Sequence, residues 1–296
     1  MKKIFAVSLA FIMLFLCSCS DNNAASTPSD AYSETNTTAS ATESTKIITE
    51  WGTDLLPKKF PSPPEGTHDF SIVMGLAETA AFAYSTDFYR ITFICPEMEI
   101  YSFSNELIKL GYKGGIKKFT DAEFYSNGYS GYWQNGENYI RISQATEISG
   151  GEIVFQIDIA ECVDNFPKAL EQFFPKFDGY CMSIGSYCAH DGNGNQITTD
   201  FDGSFAAPSW HWEFRFSNGF VGVEQEEFEK YCYSFENEDF QGVLEETTVD
   251  GCRILTADLT KTVSEGTYGV FMIYNSNLKT LDIAYTNDAS IYIENE

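Results

Sequence analysis

Oxygen-bearing side chains recur at Asp191, Asn193 and Asn195, with Thr199 and Asp202 at the ninth and twelfth positions counted from Asp191. Alternating oxygen donors of this kind suit a hard cation such as calcium. The pattern departs from a calcium loop in three ways. Gln196 stands where such a loop needs a glycine for its sharp turn, Asp202 is shorter than the usual bidentate glutamate, and predicted strands rather than helices flank the segment. Asp191-Gly192 and Asn193-Gly194 also make an ordinary hairpin turn, because these residue types tolerate positive φ. A weak calcium site at Asp191, Asn193, Asn195 and Asp202 and a bare turn both fit; no other cofactor is expected.

A second chemistry is offered by rings. Phe124, Tyr125, Tyr129, Tyr132, Trp133 and Tyr139 crowd into one short stretch. Aromatic faces stack on sugars and anchor protein partners, since both offer apolar patches fringed with polar groups. Tyr129, Trp133 and Tyr139 are therefore the candidate ligand-binding residues. In a strand, Tyr129 and Trp133 face one side and Tyr132 the other, so one set is expected to pack in a core.

Support for catalysis is thin. His68, His190 and His211 are the only imidazoles, and His211 alternates outward between Trp210 and Trp212. No H-E-x-x-H, C-x-x-C or G-x-S-x-G is present; Gly128-Tyr129-Ser130-Gly131 lacks the last spacing. Cys188 and His190 would share a strand face, but turn residues follow at once. Two-carboxylate hydrolysis stays open, because a chain with 43 acids always brings some of them close. No catalytic residue is assigned.

The acids outnumber 18 basic residues and give a formal charge of -25. Such a surface repels phosphate backbones and anionic headgroups, which argues against nucleic-acid partners. At the N-terminus, Lys2 and Lys3 precede an apolar run from Ile4 to Leu16, too short for a permanent transmembrane helix. The run closes with Leu16-Cys17-Ser18-Cys19. This resembles the lipobox of bacterial lipoproteins: an aliphatic residue, two small residues, then the cysteine that is modified. Cys17 fits poorly, because Leu16 would occupy a position that needs a small side chain. The resemblance implies that residues 1–18 are a signal peptide and that Cys19 becomes a lipidated first residue on the extracytoplasmic face of the membrane. Two acyl chains anchor stably where one binds only marginally.

From Cys19 to residue 46 the chain is nearly all Ser, Thr, Ala and Asn with a few acids. It cannot bury enough apolar surface to offset its ordering entropy, so it reads as a tether. Two modules follow, at 47–162 and 163–296. Leu55-Leu56-Pro57-Lys58 is echoed by Phe173-Phe174-Pro175-Lys176, and Tyr112-Lys113-Gly114-Gly115-Ile116 by Phe240-Gln241-Gly242-Val243-Leu244. Two echoes in one order suggest duplication.

In the first module, Phe70 to Leu76 and Tyr89 to Phe93 alternate as strands. Pro96 suits the first turn of a helix whose apolar face is Ile100, Phe103, Leu107 and Leu110, ended at Gly111 or Gly114. Asn135-Gly136 predicts a hairpin with a two-residue turn between Tyr129–Gln134 and Glu137–Ser143, and Ile153 to Ile159 another strand. In the second module, Tyr180 to Ile184 lead to the Asp191–Asn195 turn and a return strand through Ile197, and Trp210 to Phe216 alternate. A helix is expected from Glu224 to about Glu236 with Phe228, Cys232 and Phe235 inward, then strands near Cys252–Leu259, Val270–Tyr274 and Leu281–Tyr285. The expected class is α+β: two tandem modules, each an antiparallel sheet with one helix packed on a face.

Beyond the signal segment, Cys95, Cys162, Cys181, Cys188, Cys232 and Cys252 allow up to three disulfides, or serve as small buried hydrophobes. This chain resembles surface lipoproteins of Gram-positive bacteria with small sheet-plus-helix modules after a Ser/Thr tether. The expected role is that of a non-catalytic binding or adaptor protein for a protein or glycan ligand. A carbohydrate-binding module using the exposed aromatics is the alternative, and a hydrolase the third.

Overall fold

The computed structural model describes residues 47–48, 51, 56–74, 89–120, 127–148, 150–162, 170–171, 173–180, 187–190, 196–197, 213–264 and 266–287. These residues are mostly antiparallel sheet with two helices, richer in strand than an α+β class implies. Cys19, the lipobox and the tether lie outside them, as do Asp191, Asn193, Asn195, Asp202, Phe124, Tyr125 and His211.

One seven-stranded sheet contains β1 (Ile47–Ile48), β2 (His68–Met74), β3 (Tyr89–Pro96), β4 (Lys113–Phe119), β5 (Gly128–Gln134), β6 (Asn138–Ile148) and β7 (Glu152–Glu161) in the order β1-β2-β3-β7-β6-β5-β4. Helix α1 (Glu99–Lys109) joins β3 to β4. The other sheet contains β8 (Tyr187–His190), β9 (Gln196–Ile197), β10 (Glu213–Val221), β11 (Gln241–Val249), β12 (Cys252–Val263), β13 (Gly266–Asn275) and β14 (Thr280–Thr286) in the order β11-β12-β13-β14-β10-β8-β9. Helix α2 (Gln225–Glu236) joins β10 to β11. Both sheets follow one path. A strand leads into the helix, and a four-strand meander then returns so that its last strand, β7 or β14, pairs with that first strand.

The alternation read from the sequence puts the cores where it should. Ile153, Phe155, Ile157 and Ile159 of β7 are at most 1% exposed and share one buried cluster with Ile100, Phe103 and Leu107 of α1. Phe228, Tyr231, Cys232 and Phe235 of α2 share another with Leu281, Ile283 and Tyr285 of β14. Leu56 and Phe174, from the first echo, are buried one in each cluster.

The helix ends match as well. Gly111 takes φ +95, and the N–H groups of Gly111 and Tyr112 donate to the carbonyls of Ile108 (3.0 Å) and Leu107 (3.1 Å). Asp239 takes φ +63, and the N–H groups of Asp239 and Phe240 donate to Glu236 (3.2 Å) and Phe235 (3.1 Å). Both are Schellman closures, in which a left-handed residue satisfies the last carbonyls.

Two expectations need correction. Pro96 ends β3, and α1 starts only at Glu99. The β5–β6 hairpin is present, but residues 135–137 intervene. The Asn135 N–H donates to the Asn138 carbonyl (3.2 Å) and its side-chain oxygen accepts from the N–H groups of Glu137 (3.0 Å) and Asn138 (2.7 Å), so the two turn residues are Gly136-Glu137, one place later than expected. Another two-residue hairpin turn, Asp250-Gly251 with φ +48 and +72, joins β11 to β12.

The two sheets meet in two buried clusters. Phe119 of β4 joins Cys252, Ile254, Ile273 and Leu278 in one buried cluster, while Tyr139 and Ala160 join Val221 in another. Along β4, Lys113 lies against Gly222 and Gly115 against the carbonyl of Asn277. Just past its end, Thr120 donates from its backbone N–H and its hydroxyl (2.9 Å) to the Asp250 carboxylate. β4 therefore meets the C-terminal end of β10, the β13–β14 turn and the β11–β12 hairpin in succession.

Candidate interaction surface

The three aromatic candidates are all inside. Tyr129 is 3% exposed, donates its hydroxyl to Glu97 Oε1 (2.8 Å) and packs edge-on against Tyr101 and Phe155, both at 5.6 Å. Lys118 Nζ bonds the same carboxylate oxygen at 2.5 Å and lies 5.5 Å from the Tyr129 ring centre. Lys118 first, then Tyr129, holds the Glu97 carboxyl below its ordinary range. Trp133 is fully buried beneath the α1 side, where Gly131 leaves room for its ring; a Cβ at Gly131 would lie 2.4 Å from it. Tyr139 is 5% exposed on the opposite side and packs beside Val221 of the second sheet. Burial removes these rings as an open stacking face: α1 covers one set and the second sheet covers the other.

Of the calcium candidate, only the flanks are described. Ala189 pairs with Ile197 and His190 with Gln196, as across a hairpin. Among the described residues no group of three or more His, Cys, Asp or Glu is arranged to hold a metal, and no helix is long and apolar enough to cross a membrane.

His68 is the described imidazole with acidic partners. Its Nδ1 lies 3.0 Å from Asp69 Oδ2 and its Nε2 3.1 Å from Glu152 Oε1, and these bonds raise its pKa, Glu152 contributing most. With both ring nitrogens engaged by carboxylates, the protonated form of the imidazole is favoured. Cys95, Cys162, Cys232 and Cys252 are unbridged thiols, and burial pushes the first three up to about 12. A thiol so desolvated is a poor nucleophile.

What lies open is β11, an edge strand that the sequence reading passed over. Residues 241–246 are all exposed, with Val243 at 58% and Leu244 at 54%. Its counterpart in the first sheet is β4, and the register of that match is set by two glycines. A Cβ on Gly114 would fall 1.9 Å from the carbonyl oxygen of Tyr132, and one on Gly242 1.8 Å from that of Asp258. Each glycine sits second in its strand, directly after a helix closure, where the neighbouring backbone leaves no space for a side chain. Tyr112-Lys113-Gly114-Gly115-Ile116 and Phe240-Gln241-Gly242-Val243-Leu244 are thus equivalent in place as well as in sequence.

In that register, Gly115, Lys117 and Phe119 on the covered side of β4 correspond to Val243, Glu245 and Thr247 on β11. Lys117 Nζ would lie 3.4 Å from a Cβ on Gly251, beside the Asp250 turn of the second sheet. On β11 the sign is reversed. Among the described residues Glu245 has no cationic partner, whereas Glu246, on the other side of the strand, pairs with Arg253 at 2.8 Å and has its pKa lowered by it. Beside Glu245 on β12, burial first and then the Glu245 charge raise the Asp258 carboxyl. This side carries the exposed Val243 next to the carboxylates of Glu245 and Asp258, which form no ion pair among the described residues. Its sequence signal was the Asp250-Gly251 turn, which implies a strand on each side.

No protein family, curated protein or solved structure matches this chain.

Proposed function

We propose that this chain is a lipid-anchored extracytoplasmic protein that acts by binding another macromolecule rather than by catalysis. The address rests on the lipobox at Leu16-Cys17-Ser18-Cys19, behind Lys2, Lys3 and an apolar run. The binding reading is carried by one contrast. The outer side of β4 is covered by the second sheet, while the equivalent side of β11 is exposed. An exposed face whose counterpart packs against protein inside the same molecule is suited to packing against protein from outside.

The architecture behind this is a sheet crossed on one face by its helix, used twice. The common strand path, the paired helix closures and the equivalent glycines support duplication of an ancestral module. The carbohydrate alternative is not favoured, because Tyr129, Trp133 and Tyr139 are enclosed.

Metabolic labelling with a fatty acid tests the address. The wild-type chain should carry label and stay with membranes, and Cys19→Ala should be unlabelled and appear in the medium. Retention of the unlabelled variant on membranes would overturn the anchor, and turnover of any substrate by the purified chain would overturn the binding role.

A further inference from the structure

We propose that the outer face of β11, at Val243, Glu245 and Asp258, docks a β-turn of another protein that carries a lysine or arginine. The proposal deepens the binding role above and rests on it. It starts from the docking already made inside the molecule. There, β4 receives a turn and a hairpin end: Gly115 admits the Asn277 carbonyl, Phe119 packs on Cys252, Ile254 and Leu278, and Lys117 stands beside the Asp250-Gly251 turn. The cation is on the strand and the carboxylate is on the turn.

At the equivalent places β11 offers Val243, Glu245 and Thr247, with Asp258 at the place of Tyr132. The strand still offers an exposed aliphatic side chain, Val243, but its polarity is inverted. The carboxylate is now on the strand, so the complementary turn carries the cation. A cation there would lie between Glu245 and Asp258 and answer two neighbouring carboxylates at once.

A second copy does not supply that cation. The turn of the first sheet that corresponds to Asn277 is Gly150-Gly151, flanked by Glu147 and Glu152. Acid would face acid, in a chain of net charge -25. Like charges placed opposite one another at an interface suppress the wrong partner.

The test uses the mature chain and three short Asn-Gly hairpin peptides that differ only in the side chains beside the turn: lysine, glutamine or glutamate. Binding is read by fluorescence anisotropy and located by amide exchange. The lysine hairpin should bind at least about 10-fold more tightly than the glutamine one, the scale expected for a specific charge pair at an interface. Amides of residues 241–249 should gain protection. In Glu245→Lys the preference should invert toward the glutamate hairpin, whereas Glu171→Lys, an exposed acid elsewhere, should leave it unchanged. General attraction to an acidic protein cannot invert on one substitution, so inversion identifies the site. A preference that survives Glu245→Lys, protection elsewhere than β11, or no binding at all would overturn the proposal. So would self-association through β11 in sedimentation. None of these outcomes bears on fatty-acid labelling or turnover, so this inference can fail while the anchored binding role stands.

Discussion

Asp239 closes α2 with φ +63, in the place where Gly111 closes α1 with φ +95. A side chain in the left-handed region carries a steric penalty that glycine lacks. Asp239→Gly should therefore stabilise the chain by about 0.5–1 kcal/mol, the penalty less the extra chain entropy that glycine loses. Gly111→Ala should destabilise it by a similar amount; urea unfolding measures both. His68 supplies a pH prediction at the same scale. Glu152 and Asp69 raise its folded pKa above the ordinary 6.5. Their contribution is complete below the unfolded value and fades as pH rises through the higher folded one. A titration of the His68 ring by NMR should show a midpoint above 6.5 that falls in Glu152→Gln. The His68–Glu152 contact spans 84 positions in sequence, so it was not legible before the strands were placed.

At the scale of elements, α1 and β7 were legible because each has a single apolar face with an undisturbed period. α2 was legible for the same reason, reinforced by acids in its first turn. β11 was not. Gln241–Val249 has almost no buried side, so alternation carries no signal, and only Asp250-Gly251 pointed to it. Gly242 makes this strand testable. With backbone 1.8 Å from a built Cβ, Gly242→Ala must push β11 off β12 or bend it. It should cost about 1–3 kcal/mol, the range for imposed backbone strain, and should strip exchange protection from 241–249 before the rest of the sheet. Trp133→Ala should act differently from the loss of a ligand contact. Removing a fully buried indole should lower stability by about 3–5 kcal/mol, read by chemical denaturation.

For the whole molecule, four free thiols narrow the disulfide pairing. Fifteen pairings of six cysteines were open from sequence. Cys95, Cys162, Cys232 and Cys252 are unbridged, which leaves Cys181 with Cys188 as the one pair still open. Intact mass should therefore rise by no more than two hydrogens on reduction. Cys95, Cys232 and Cys252, all buried, should resist alkylation until the chain unfolds. The match between halves belongs to this scale too. The two echoes fall on equivalent places, a buried anchor before each sheet and the first residues of β4 and β11.

The sequence by itself determined what depends on neighbours in the chain. The acidic charge, the helix faces, the helix closure at Gly111 and the strands of steady period are all local. Only the tertiary structure decided which apolar faces are covered. Tyr129 and Trp133 on one side and Tyr139 on the other look alike as candidates, and alternation alone says that one set is core. That both sets are enclosed follows from α1 on one side and the second sheet on the other, a contact between residues on the order of a hundred positions apart, which no local period encodes. The same long-range packing hides the outer side of β4 and exposes that of β11, two strands that begin with nearly the same words.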